Sequence, residues 1–376
     1  MRWVYAVCVV IFLAIGGFLF TPSPVDSRAW NPPEPPPLEG ELARNELLQQ
    51  AELLAVGDVY GPEDVDVDPA GRVYGGTQDG KIVRVWPDGR VETWAETGGR
   101  PLGMAFDRNG NLIVADAYKG LLSIDPPSGT IRTLSKEAEG LPFRFTDDVD
   151  IGPRGMIYFT DASSRFNQSE YMLDLLEMRP HGRLLQYNPA TRKTEVLLRD
   201  LHFANGVAVS RDGKFVLVNE TWKYRTLRYW LGGPKAGSVE VFVDNLPGFP
   251  DGIAADSEGR FWLALATTRN AFMDRIHPYP WVKEQIAKLP DSLKPPPEEY
   301  GLVLALDRDG KIIASLHDPG GAHLQEITSV EPHAGMLYFG SLHNDRIGRL
   351  PMSAVPALDD LSGPNAVPEP KKEQTP

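Results

Sequence analysis

Cysteine is almost absent from this chain of 376 residues, which contains only Cys8. A single thiol excludes an intramolecular disulfide framework and a cysteine-based zinc site. Positive charge is also scarce, because 38 Lys and Arg residues stand against 51 Asp and Glu residues and the net charge is −13. Since no long basic run offsets this balance, nucleic acid is excluded as an expected partner.

Turn-forming residues are abundant. The chain has 36 Gly and 34 Pro residues, more than a helical bundle tolerates, because both residue types interrupt helices and form turns between strands. Hydrophobic residues make up 42% and charged residues 24%, which is typical of a folded globular protein and excludes wholesale disorder. The composition therefore favours an all-β fold with many turns.

The N-terminal region contains one long apolar run. Residues 3–20 carry no charge, and a run of this length is just sufficient to span a bilayer as a helix. We therefore predict an uncleaved, single-pass membrane anchor. Because Arg2 precedes the run, we expect the rest of the chain to lie outside the cytoplasm, on the periplasmic, lumenal or extracellular side. A cleaved signal peptide is the alternative.

The remaining chain divides by composition into three parts. Residues 21–48 contain the stretch Asn31-Pro-Pro-Glu-Pro-Pro-Pro, which is typical of an extended, semi-rigid linker. Residues 354–376 are again rich in Pro and charge, and we predict a disordered tail there. The folded domain is expected to occupy residues 49–353.

This domain contains an internal repeat. Six copies begin at Glu63, Leu102, Asp147, Asn205, Asp251 and Ile327, and each has a glycine eight residues after its start. Each copy reads as strand, turn, strand, and most copies are followed by a second hairpin. Successive starts lie 39, 45, 58, 46 and 76 residues apart, close to the period of propeller blades.

The repeat predicts an all-β, six-bladed β-propeller with four-stranded blades. An open array of hairpins is the alternative, but it would leave long unpaired edges. The last copy has room for only about three strands, so we expect residues near 50–57 to supply the fourth and close the ring. The long spacings mark insertions near 169–178, which reads as a short helix, and at 269–300. Both insertions could form a lid over one face or could be surface loops.

The first residues of the copies converge on the central channel of a closed propeller. Three carboxylates and an amide meeting there would repel one another unless a cation lies among them. Ligands that offer only oxygen select a hard cation, and Ca²⁺ tolerates irregular geometry. We therefore predict a calcium site formed by Glu63, Asp147, Asn205 and Asp251. The alternative is that these residues only form turns or caps.

Several segments resemble the strictosidine synthase-like family. They are Glu63-Asp-Val, Phe203-Ala-Asn-Gly-Val-Ala, Asn219-Glu-Thr, Leu227-Arg-Tyr-Trp-Leu-Gly-Gly and Asp244-Asn-Leu-Pro-Gly-Phe-Pro-Asp-Gly-Ile. The overall plan also resembles the calcium-dependent propellers of gluconolactonases, phosphotriesterase-type fluorophosphatases and paraoxonases. A membrane anchor followed by such a propeller is most similar to the subgroup of adipocyte plasma membrane-associated proteins.

The resemblance has implications for individual positions. Glu63, Asn205 and Asp251 match the calcium ligands of these propellers, and Asp147 stands where relatives often have an asparagine. Leu102 replaces a catalytic histidine of paraoxonases. The catalytic glutamate of true strictosidine synthases falls at about Thr328, which argues against alkaloid synthesis, although Glu326 lies close by.

These observations predict a membrane-anchored, calcium-dependent hydrolase of lactones or esters, with organophosphates as a further substrate class. Asp251 is the expected general base or nucleophile, and Asp147 is the second candidate. His202 and His323 are weaker candidates for the pocket. Two other functions stay open: a binding protein that keeps a structural calcium without turnover, and a synthase that forms carbon–nitrogen bonds.

Overall fold

The computed structural model describes residues 3–5, 12, 16–294 and 296–359. Within them, six antiparallel, four-stranded sheets form the blades of a propeller. The strands of blades one to three are β2 (Val65–Val67), β3 (Val73–Gly76), β4 (Lys81–Val85), β5 (Val91–Glu96), β6 (Pro101–Phe106), β7 (Leu112–Asp116), β8 (Gly120–Ile124), β9 (Ile131–Ser135), β12 (Thr146–Ile151), β13 (Ile157–Asp161), β14 (Gly182–Asn188) and β15 (Lys193–Leu201). A small hairpin, β10 (Glu137–Ala138) and β11 (Leu141–Pro142), lies between blades two and three.

Blades four to six follow the same order, except that the last blade takes one strand from the N-terminal side. Their strands are β16 (Ala204–Val209), β17 (Phe215–Glu220), β18 (Arg225–Trp230), β19 (Val239–Val243), β20 (Gly248–Ala255), β21 (Phe261–Thr268), β22 (Tyr300–Leu306), β23 (Ile312–Pro319), β24 (Ile327–His333), β25 (Met336–Ser341), β26 (Ile347–Pro351) and β1 (Glu52–Leu54).

The ring closes through β1. This strand pairs antiparallel with β26, with Glu52 opposite Arg349 and Leu54 opposite Ile347. The innermost strands β2, β6, β12, β16, β20 and β24 each contact the next around the ring, and β24 contacts β2. The predicted six-bladed propeller and its closure by residues near 50–57 are therefore confirmed. Closure packs the last blade against the first, and a closed propeller leaves only short, protected strand edges.

The repeated glycine has a backbone role. In all six copies it lies in the turn between the first two strands of its blade, with φ between 66° and 84°. Residues with a Cβ adopt this left-handed conformation at a cost, whereas glycine does not. The buried, apolar strands that flank these turns pack against neighbouring blades, and fully buried Trp262 and Phe339 lie in one such layer.

Two insertions carry helices. The first contains α1 (Tyr171–Glu177) and the second contains α2 (Ala271–Ile276), α3 (Pro280–Ala287) and a 3₁₀ turn (Asp291–Leu293). Helix α2 begins after Asn270, whose side chain accepts hydrogen bonds from the Phe272 and Met273 amides, as N-cap residues commonly do. Helices α1 and α3 pack against each other, so the two insertions form one layer, which we call the lid (residues 168–177 and 269–299).

Residues 21–50, here called the strap, lie along the propeller and the lid. The Arg28 amide donates to the Glu177 carbonyl, the Ser27 hydroxyl to the Leu176 carbonyl, and the Lys283 ammonium to the Arg28 carbonyl. Trp30 packs against Tyr224 and His277. The segment predicted as a linker is therefore held against lid helices α1 and α3. Two 3₁₀ turns (Gly40–Leu42 and Leu47–Gln50) lead from the strap into β1.

Both ends of the chain are described only in part. Half of the predicted anchor (residues 3–20) lies outside the described residues, and none of the helices in the described part is long and apolar enough to cross a membrane. The anchor stays a prediction. Of the predicted tail, residues 360–376 lie outside the described residues. A 3₁₀ turn (Met352–Ala354) and α4 (Pro356–Asp359) precede them, and Val355 and Leu358 are buried in the apolar core shared by blades five and six.

Candidate active site in the propeller channel

The predicted site residues share one cavity. Glu63, Asp147, Asn205 and Asp251 line a cavity of about 730 Å³ at the lid end of the channel, together with Leu102. In each of the five innermost strands from β6 to β24, the pairing register is broken at or beside this position. Such breaks interrupt the alternation of side chains and redirect them, and they are frequent next to functional sites.

The residues that start the six repeat copies form a ring around the channel. In the sixth copy the residue that faces the channel is not Ile327, which the sequence analysis assigned to this position. In blade six His333 pairs with Met336, leaving a turn of two residues, whereas the Asp68 amide in blade one bonds the Arg72 carbonyl across a turn of three. The shorter turn shifts the strand by one residue, and such a shift moves a side chain to the opposite face.

Thr328 therefore lines the cavity and Ile327 does not. The Ile327 side chain is fully buried in the core between blades, near Leu324 and Leu337. The Thr328 hydroxyl donates a hydrogen bond of 2.6 Å to the Glu63 carbonyl and so connects the last blade to the first across the channel. The prediction of Ile327 as a channel residue was wrong for this geometric reason.

The three acids of the ring strongly disfavour their charged forms. Burial and then mutual repulsion raise the pKa of both Glu63 and Asp147 well above their usual values. Burial likewise raises the pKa of Asp251, although a hydrogen bond with the Asn205 side chain opposes this shift. The positive charge of Arg100 lowers the pKa of Glu63 and so opposes part of this shift. The Arg100 guanidinium is itself buried and donates hydrogen bonds to the backbone carbonyls of Gly61 and Gly76.

Two carboxylate oxygens of the ring lack partners. Asp147 Oδ2 and Asp251 Oδ1 are buried and have no hydrogen-bond donor among the described residues. An unsatisfied buried carboxylate is costly unless it is protonated or meets a cation. The donor set, three carboxylates and an amide, offers only oxygen and suits a hard cation such as Ca²⁺. Within the described part of the chain, no three His, Cys, Asp or Glu side chains are close enough to hold a metal by themselves, so calcium binding stays a prediction.

A second acidic layer lies deeper in the channel. Asp64, Asp66, Asp148 and Asp150 line a cavity of about 430 Å³ below the ring. Each accepts a 2.7 Å hydrogen bond from a backbone amide of the next blade's innermost strand, donated by Met104, Phe106, Val207 and Val209, respectively. Burial raises the pKa of Asp64 to about 6 and that of Asp66 to about 7. The sequence analysis missed this layer, although the repeated Asp-Val-Asp of blades one and three was a visible signal.

The walls of the upper cavity are apolar and aromatic. Phe145, Phe203, Trp222 and Phe249 line it, and the rings of Phe203 and Trp222 lie 4.4 Å apart. Trp222 is held from behind by Asp174 of α1, which accepts its indole N–H at 2.9 Å. These walls would bury an apolar part of a ligand above the acidic ring.

Both insertions contribute to the cavity, which decides between the two alternatives for them. Its lining includes residues 168–173 and Leu175 from the first insertion and Met273 and residues 296–298 from the second. The lid interpretation is therefore supported over that of surface loops.

The two candidate histidines do not line the cavity. His202 is partly buried beside Glu220, and His323 Nε2 lies 2.7 Å from the Ala51 carbonyl oxygen. Glu326 does line the cavity, and its carboxylate lies 2.5 Å from His343 Nδ1. Glu326 adopts φ of 45°, a conformation that non-glycine residues favour little, and this turns its side chain toward the channel mouth.

Comparisons with known proteins agree with the channel architecture. A strictosidine synthase family profile matches residues 147–234, and a profile of the strictosidine synthase-like N-terminal region matches residues 40–85. Among solved structures, a gluconolactonase from Xanthomonas campestris superposes with a TM-score of 0.59 at 16% identity, covering 90% of this chain and 99% of that one. Regucalcin from Agrobacterium tumefaciens, a calcium-binding protein, gives 0.56 at 18% identity, covering 80% and 90%. At these identities the likeness shows the fold alone.

Whole-chain relatives are more similar. Protein STRICTOSIDINE SYNTHASE-LIKE 4 from Arabidopsis thaliana is 38% identical over 353 residues, which cover 90% of both chains. The human adipocyte plasma membrane-associated protein is 37% identical over 368 residues, covering 91% of this chain and 87% of the relative. At this identity and coverage, the chain belongs to the strictosidine synthase-like family.

Proposed function

We propose that this protein is a calcium-dependent hydrolase of lactones or esters. The observation that carries the proposal is the pair of unpartnered carboxylate oxygens, Asp147 Oδ2 and Asp251 Oδ1, buried at the floor of a cavity with aromatic walls. Buried, strongly perturbed acids in a cleft are typical of functional sites. The gluconolactonase and regucalcin folds support the same reading at the level of architecture.

The ring residues would divide the work. Glu63, Asp147, Asn205 and Asp251 would hold the ion, which when bound polarises a carbonyl or phosphoryl oxygen and lowers the pKa of water. Asp251 would accept the proton of the attacking water or attack the carbonyl carbon itself, because its carboxylate has an unpartnered oxygen and Gly252 follows it without a side chain. Asp147 is the second candidate for this role.

A substrate screen tests the proposal. Lactones, aryl esters and organophosphates are incubated with the full chain with and without a calcium chelator. We expect turnover that chelation abolishes and added calcium restores. Asp251→Asn keeps a side chain of the same size but removes the basicity, so kcat should fall on the order of 10² to 10⁴. The matched control is Asp309→Asn, because Asp309 is exposed in the turn between β22 and β23.

The outcomes separate the alternatives. Turnover that survives Asp251→Asn with calcium bound would make Asp251 a ligand only. Calcium binding without turnover on any substrate class would favour the binding protein.

We also propose that the propeller is anchored outside the cytoplasm by residues 3–20. The apolar run supports this placement, and so do the relatives named as plasma membrane-associated. Alkaline carbonate extraction together with sequencing of the mature N-terminus tests it. A soluble protein that begins after residue 20 would contradict it.

A further inference from the structure

The lid exposes an unusual number of large apolar side chains. Phe272, Tyr279, Trp281 and Leu293 are each between 44% and 66% exposed, and they fall within 22 residues of the second insertion. Outside residues 3–20, no other stretch of this length in the described chain exposes four. Several large apolar side chains exposed within one short segment indicate a candidate contact with a protein or a membrane.

The end of the apolar N-terminal run meets this same surface. Trp281 and Gln285 of α3 and Lys288, the helical residue that follows its last turn, are spaced i, i+4 and i+7 and so share one face of the helix. Lys288 Nζ donates to the carbonyls of Phe18 and Leu19 at 3.2 and 3.3 Å and lies over the Phe18 ring. Phe18 and Leu19, at the end of the apolar N-terminal run, therefore contact the same helix face that exposes Trp281.

The two parts of the lid differ in charge, because residues 168–177 contain Glu170, Asp174 and Glu177 and no Lys or Arg. Residues 269–299 contain five Lys or Arg and five Asp or Glu, so this insertion is neutral in a chain of net charge −13. A neutral surface with exposed Trp, Tyr and Phe and a few lysines matches the chemistry of the bilayer interface, where aromatic rings sit at the headgroup level and lysine side chains extend to water.

We propose that the lid is a membrane-docking surface: Phe272, Tyr279, Trp281 and Leu293 insert into the headgroup region of a phospholipid bilayer. Residues of the same insertion line the cavity, so docking places the cavity entrance at the bilayer surface. This proposal concerns the surface and does not depend on the hydrolase activity. It goes beyond a simple tether, because an anchor alone would leave the lid free in water.

Fluorescence quenching tests the proposal on the full chain. In a Cys8→Ser background, single cysteines replace Phe272, Trp281 or Asp309 and carry an environment-sensitive fluorophore in phosphatidylcholine vesicles. Asp309 is the matched control, because it lies in the same blade but in the β22–β23 turn, whereas the lid enters at the β21–β22 connection at the opposite end. We expect lipids with a shallow nitroxide to lower the emission at 272 and 281 by about twofold or more and to leave 309 unchanged.

Two outcomes would overturn the proposal. One is equal emission at 281 and 309 with and without the nitroxide lipid. The other is a label at 281 that is already shielded before vesicles are added, which would indicate a protein partner or a second copy. A second measurement does not need the cysteine variants, which could misfold. Brominated phosphatidylcholine should quench the tryptophan emission of the unaltered chain more than that of Trp281→Phe.

Discussion

Asp174 gives the sharpest test of the electrostatics beneath the cavity. It is fully buried in α1, where its two carboxylate oxygens accept hydrogen bonds from the Ser163 hydroxyl at 2.6 Å and the Trp222 indole at 2.9 Å. Burial raises the pKa of Asp174 to about 7, even though the hydrogen bond from Ser163 opposes the shift. A carboxyl group in the unfolded chain has a pKa near 3.9.

The sign of the pH dependence follows from these two pKa values. Between about pH 4 and 7 the native state holds this proton and the unfolded state does not, so stability falls as pH rises through that window. A shift from 3.8 to about 7 corresponds to roughly 4 kcal/mol as an upper bound, at about 1.4 kcal/mol per pH unit. The full destabilisation is reached above pH 7.

Replacement of Asp174 with asparagine should remove this cost. The amide oxygen can still accept from Trp222, and the Ser163 hydroxyl can rotate to accept from the amide nitrogen. We expect Asp174→Asn to be more stable than the unaltered protein by about 1–2 kcal/mol at pH 5 and by up to about 4 kcal/mol at pH 8.5.

Glu177 in the same helix supplies a control of opposite sign. Burial alone would raise its pKa, but hydrogen bonds with His181 and from the Asp26 amide, together with Arg165, hold the pKa of Glu177 below its usual value. Its contribution is therefore present above the unfolded pKa and is lost as pH falls through the lower folded pKa. Glu177→Gln should be less stable at pH 7 by about 1–3 kcal/mol.

Urea unfolding of the full chain at pH 5, 6, 7 and 8.5 measures both effects. The reasoning is refuted if Asp174→Asn is destabilised at pH 8.5 as strongly as Glu177→Gln, because Asp174 would then act as an ionised hydrogen-bond acceptor.

Two further predictions concern the channel. Removal of calcium should lower Tm, because an ion present at 100 times its Kd stabilises the folded state by about 2.7 kcal/mol. Calorimetry with and without a chelator measures this shift, and an unchanged Tm would contradict the prediction. Gly340→Ala should cost about 2–4 kcal/mol in urea unfolding and weaken calcium binding, because its Cβ would lie 2.5 Å from the Glu63 carbonyl and 2.7 Å from that of Pro62. Gly232→Ala, whose Cβ meets no atom within 4 Å, is the control and should be nearly neutral.

The periodic part of the fold was predictable from the sequence because each blade repeats the same local requirement. A glycine with positive φ must follow the innermost strand, and that residue marks all six copies. The closing strand was predictable by counting, since the last copy was one strand short. The ring residues Glu63, Asp147, Asn205 and Asp251 were brought together as expected, because a repeat position becomes a spatial position once the ring closes.

What the sequence did not reveal depends on contacts outside the repeat. The slip from Ile327 to Thr328 comes from a turn shorter by one residue, which the shared glycine conceals. The docking of the strap depends on partners far along the chain, such as Leu176 and Lys283. A proline-rich composition predicts extended backbone but does not indicate what that backbone lies against. Glu326 reaches the cavity through a left-handed backbone conformation that a propensity scale does not predict.

Closure of the ring by β1 has a consequence for biosynthesis. Glu52 pairs with Arg349, so the final blade cannot form until almost the whole domain has left the ribosome. During that interval the side of blade one that packs against the last blade is uncovered, and contacts between such distant residues form slowly. A nascent chain stalled before Ile347 would have most of its blades but no closed ring, and it would be open to pairing with other chains. Chaperone dependence should therefore be concentrated in the stage of synthesis between β24 and β26, when the last blade is incomplete.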